Sequence, residues 1–137
     1  MVILSSWREA FETTIRELEL ANRKREALRD LLERNRMSRS TYDYLIRELE
    51  DEIGRFRDHM RVLAKRMNER ISELHRQERM LERFLAWLEL MHIGEEIDEE
   101  KYNYQRDAFM SGLDATRSEI RQIEEALRRI SITEKYK

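Results

Sequence analysis

The sequence predicts an all-α fold: an elongated antiparallel three-helix coiled coil, built from two overlapping helical hairpins that share a long central helix. Three observations carry this. Apolar residues recur every three or four positions almost from end to end. Proline is absent and glycine occurs three times, at 54, 94 and 112, so few positions can stop a helix. One octet is written twice, sixty positions apart: MSRSTYDY at 37–44 and IDEEKYNY at 97–104.

The first helix is expected over about 6–34. Its apolar positions are Trp7, Phe11, Ile15, Leu18, Ala21, Leu28 and Leu32, and Ser6 with Glu9 forms a capping box at its start. The second is expected over about 38–93, with a seam from Tyr42 and Ile46 through Ile53, Met60, Met67 and Leu74 to Phe84, Leu88 and Met91. At 1.5 Å per residue it would be about 80 Å long. The third is expected over about 98–132, with Tyr102, Phe109, Leu113, Ile120, Ile123, Leu127 and Ile130. A seam kept over this many heptads is a coiled-coil pattern. Acid-to-arginine pairs four residues apart, such as Glu12/Arg16 and Glu124/Arg128, suit exposed helix faces. Gly54 falls inside the second helix and reads as a bend or a close helix crossing. The whole chain, 1–137, reads as a single coiled-coil domain.

The octets answer to a helix-entry device. With N-caps at Ser38 and Asp98, Met37 and Ile97 precede the cap, and Tyr42 and Tyr102 lie four residues inside. That is the spacing of a hydrophobic staple, which fixes how the chain enters a helix. The register persists around the octets: Leu28 matches Leu88, Ile53 matches Leu113, and Leu63 matches Ile123. The repeating unit is therefore a helical hairpin used twice.

Composition narrows the function. Charged residues make up 41% of the chain, with 27 Lys+Arg against 29 Asp+Glu and a net charge of −2. A balance so near neutral argues against nucleic acid as a partner. Cysteine is absent, which excludes disulfides and thiol chemistry. No run of about 18 apolar residues exists to span a membrane, and MVILSSW is no signal peptide, so a cytoplasmic location is expected. The seven methionines read as gap-fillers along the seams.

The stretch FLAWLELMHI at 84–93 is the strongest candidate site. Phe84, Leu88 and Met91 continue the seam, and Leu85, Trp87 and Leu90 fall outside it. One partner helix cannot bury so wide an apolar arc. The six residues are therefore read as an oligomer interface, a homodimer being favoured, against the plainer reading of a local three-helix core. Glu89 and His92 match Glu-x-x-His, half of a di-metal bundle site, but no second copy of the motif exists. His92 is accordingly read as a surface histidine, with no catalytic, cofactor or metal residue assigned and no small-molecule substrate. The arginines of the second helix are interleaved with acids and read as a solvated face.

RMSRSTYDYLIRELEDEI at 36–53 and LERFLAWLELMHIGEEIDEEKYNYQRDAFMSGLDATRSEIRQIEEAL at 81–127 resemble the coiled-coil region of CdvA-like archaeal cell-division proteins. The resemblance covers roughly 10–130. It implies a non-enzymatic scaffold that self-assembles at the division site and supports ESCRT-III-like membrane remodelling. An ESCRT-III-like protein is then the implied partner, with the membrane reached only indirectly. Family members carry a small β-barrel before the coiled coil and a docking peptide after it. This chain has no strand-like segment, and only TEKYK follows the third helix. An excised domain or a small paralogue is thus expected, and neither recruitment by that peptide nor DNA association carries over. Two other readings stay open: a stand-alone helical adaptor for an unrelated partner, and, remotely, a di-metal helical-bundle enzyme.

Overall fold

The computed structural model describes the backbone of residues 2–135 and the side chains of 7–131. Its described residues form three α-helices and no strand: α1 (Val2–Glu33), α2 (Arg39–Ile93) and α3 (Glu99–Lys135). α1 is already under way at Ser6, so Ser6 is not its N-cap, and that side chain lies outside the described residues. α3 continues past 132 to Lys135.

The chain divides into two compact units, Met1–Arg66 and Met67–Lys137, and α2 runs through both. In the first unit, Leu18 and Ala21 of α1 pack against Leu49 and Ile53 of α2, with Phe56 beside them. Trp7, Phe11, Ile15 and Leu28 are buried on the same stripe of α1. In the second unit the buried set is Met67, Leu74 and Leu88 on α2, and Tyr102, Leu113, Ile120, Ile123, Ala126 and Ile130 on α3. Except for Ala126, which is buried where the sequence suggests Leu127, these are the three-four positions of the sequence, because a helix must turn one stripe toward its partner to remove it from water.

Polar contacts fix the register of the second unit. Gln77 Nε2 donates to Thr116 Oγ1 (2.8 Å), and that hydroxyl donates to the Gly112 carbonyl (2.8 Å). Arg70 grips Glu119 with two bonds, 3.0 and 3.2 Å, and Arg117 reaches Glu78 at 2.8 Å. Nearer the turn Phe84 packs on Phe109, with ring centroids 5.5 Å apart. Partner numbers fall on α3 as they rise on α2, so the two arms of this hairpin run antiparallel.

Glycine placement departs from the sequence reading. A Cβ on Gly54 would meet nothing within 4 Å, so no close helix crossing occurs there. At Gly112 a Cβ would stand in ordinary contact with Leu81 Cδ1, 3.6 Å away.

Candidate functional site

The two turns share one backbone. α1 ends in a Schellman motif: Arg36 N–H donates to the Leu31 carbonyl and Asn35 N–H to Leu32, with Asn35 at φ 59°. α2 ends in the same way: Glu96 N–H donates to Met91 and Glu95 N–H to His92, with Glu95 at φ 58°. The left-handed residue is therefore Glu95 and not its glycine neighbour. The next helix starts at once. Ser38 Oγ accepts from Thr41 N–H (3.2 Å), and Asp98 Oδ1 accepts from Glu100 N–H (3.0 Å).

The residues around the caps are placed differently in the two turns. Met37, Tyr42 and Ile97 are half-buried, whereas Tyr102 is buried. Tyr102 stacks flat on His92, with centroids 3.7 Å apart and planes 7° apart, and its hydroxyl donates to Glu89 Oε1. His92 Nε2 pairs in turn with Glu99 Oε2 at 2.8 Å. The bond to Glu89 holds the Tyr102 phenol above its usual pKa, since a donated proton next to a carboxylate is hard to remove. Leu32 and Arg29 stand at the equivalent positions of the first turn, so it has no such clamp. The sequence reading took His92 for a surface histidine. The signal for the clamp is a histidine ten residues before a staple tyrosine, across a tight turn. Among the described residues no group of three His, Asp or Glu could hold a metal ion.

The 84–93 stretch divides otherwise than its seam suggested. Leu88 is buried, and Leu85 and Met91 are half-buried. Phe84, Trp87, Leu90 and Ile93 are 45%, 65%, 58% and 77% exposed. Phe84, expected inside the seam, therefore edges out of it despite touching Phe109, and Leu85, expected outside, turns inward. Met80 is 49% exposed and joins the same face, and Met110 is 46% exposed, so neither is the seam gap-filler that the sequence suggests. At 100° per residue, Met80, Phe84, Trp87 and Met91 line up in 4-3-4 spacing, a second heptad seam about a quarter-turn from that of Leu74, Leu81 and Leu88.

Three long helices with buried three-four stripes, and no strand among the described residues, define a coiled-coil protein. The CdvA-like coiled-coil domain model matches residues 6–137, and the chain belongs to that family. It is 28% identical over 102 residues to Cell division protein A of Sulfolobus acidocaldarius, an alignment taking in 74% of this chain and 43% of that protein. The chain thus spans less than half the length of this relative. No solved structure matches it. No helix among the described residues is long and apolar enough to cross a membrane.

Proposed function

We propose that the chain is a non-enzymatic scaffold of archaeal cell division that self-assembles through the exposed seam of α2 and supports ESCRT-III-like membrane remodelling at the division site. Membership of a division-protein family supports the cellular role. The observation that carries self-assembly is the exposed row Met80, Phe84, Trp87 and Leu90. With half-buried Met91 beside it, this row gives a second copy an apolar strip. Fully burying one such side chain is worth about 1.5–3 kcal/mol. These four are already about half-covered, so four per copy, doubled by a twofold, release on the order of 10 kcal/mol. Association costs about 4–15 kcal/mol, so only the low end of that range leaves a net gain, about 6 kcal/mol, or a Kd of some tens of micromolar at the tightest. A twofold is the simplest symmetry because one self-complementary patch suffices.

Light scattering at concentrations well above tens of micromolar tests this. The unmodified protein should run as a dimer or larger, and Trp87→Glu as a monomer with its helicity intact. A monomer for the unmodified protein would sink the reading and leave the face to a helix of some other protein, the adaptor alternative. Co-sedimentation with an ESCRT-III-like protein from the same cell tests the partner, and no binding by the dimeric protein would remove it.

A further inference from the structure

Five acids of α1, Glu12, Glu19, Glu26, Asp30 and Glu33, each have an arginine three or four residues away, the spacing at which a helix pairs its charges. Glu9 and Glu17 have no Lys or Arg at any of those positions, and neither forms an ion pair among the described residues. Both line one groove of about 410 Å³ in the first unit, whose opposite wall is Phe56 and His59 of α2. No Lys or Arg lines it.

Thr14 lies between the two carboxylates, at the place in the seam where the spacing of Phe11 and Leu18 calls for an apolar residue. It is 4% exposed and lines the groove, and its hydroxyl makes no hydrogen bond among the described residues. Thr116 is buried as deeply in the second unit, but its hydroxyl is bonded both to Gln77 and to the Gly112 carbonyl. A buried hydroxyl left unbonded is disfavoured relative to a methyl group of the same shape. A threonine at position 14 is therefore accounted for by a bonding partner that enters the groove.

We propose that this groove binds a linear aliphatic polyamine. Glu9 and Glu17 are eight residues apart on α1, a rise of about 12 Å. Two terminal ammonium groups that far apart each meet a carboxylate in a charge-assisted hydrogen bond. The methylene chain between them lies along Ala10 and the Phe56 ring, and a secondary ammonium within that chain donates to Thr14 Oγ1. A divalent metal ion does not fit, because one small ion cannot reach both carboxylates at once. The amine touches α1 and α2 together, so its binding ties the arms of the first hairpin and stabilises the folded chain. The site uses no residue of the exposed row around Trp87, and it stands or falls apart from the dimer.

Titration calorimetry at fixed ionic strength tests it, with spermidine, an eight-carbon diamine, a four-carbon diamine and magnesium chloride as probes. Spermidine and the eight-carbon diamine should bind saturably, one per chain. The four-carbon diamine can reach only one carboxylate and should bind roughly tenfold more weakly, the loss of one hydrogen bond between charged groups. Glu17→Gln should erase this preference for length. Thr14→Val keeps the shape and removes the hydroxyl. It should weaken spermidine severalfold and leave the eight-carbon diamine unchanged, since that diamine has no secondary nitrogen to donate. Without amine, Thr14→Val should melt no lower than the unmodified protein, which also checks that it folds. Equal binding of the two diamines, magnesium binding as tightly as the longer one, or no saturable binding at all marks Glu9 and Glu17 as ordinary surface charge and overturns the proposal. A lower Tm for Thr14→Val also overturns it, because the hydroxyl would then already be bonded within the fold.

Discussion

Tyr42 and Tyr102 occupy the same place in the repeat and are held to different degrees. Tyr102 is buried, stacked on His92 and bonded to Glu89, whereas Tyr42 is half-buried with Arg39 5.7 Å over its ring. If both act as staples, Tyr102→Ala should lower Tm clearly more than Tyr42→Ala, with helicity in the native state nearly unchanged in each. Thermal melts followed by circular dichroism check this, and equal losses would assign the extra contacts of Tyr102 no stabilising role. Tyr102→Phe keeps the ring and should recover most of the loss. The caps were legible because Ser38 and Asp98 stand before apolar residues at fixed offsets. The His92 clamp was not, because its partners lie across a turn whose shape the sequence does not state. Glu95 was also hidden: a left-handed residue is ordinarily sought at glycine, and Gly94 stood next to it.

At the scale of the helices, three-four spacing located the buried stripes, since the period of the helix decides which residues can face one partner. It misjudged the rim. Phe84 and Leu85 exchange roles because a stripe read from spacing has no fixed centre, and a shift of one residue turns a side chain by about 100°. The cross-helix polar contacts could not be read either, since charges abound on every face. One of them makes a pH prediction. The Glu78 carboxyl is held below its ordinary pKa of 4.5, first by its hydrogen bond to Arg117 and then by His75. A group depressed on folding stabilises the native state above its unfolded pKa and loses that contribution as pH falls through the folded value. Arg117→Leu should therefore be less stable than the unmodified protein at neutral pH. That difference should shrink to nothing as the pH drops well below 4.5. Urea unfolding across this range measures it. Because Arg117 and Glu78 are both partly exposed, the difference at neutral pH should be modest. A gap that persists in acid would mean that Arg117 acts through its packing alone.

For the whole molecule, folding and association should be linked. A second copy that binds only the folded chain stabilises it by mass action, in proportion to the logarithm of concentration over Kd. The proposed role in division rests on the family membership, and the proposed dimer on the exposed apolar side chains of α2. Even a weak dimer then has a thermal consequence at high concentration. Raising the protein from about 1 to about 100 times Kd adds roughly 2.3 kcal/mol, since each tenfold step in bound partner approaches 1.4 kcal/mol. For a chain of this length that is a shift of several degrees in Tm. Trp87→Glu should abolish the concentration dependence and melt at the low-concentration value. A solvent-facing glutamate in a helix costs little by itself. The comparison is self-controlled, because the variant alters the fold only at a side chain that is 65% exposed in one copy. If both proteins shift alike with concentration, association runs through some other surface. If neither shifts, the seam is not occupied by a second copy in the folded state. If the unmodified protein alone shifts, and salt leaves that shift in place, the apolar face makes the dimer and charge does not.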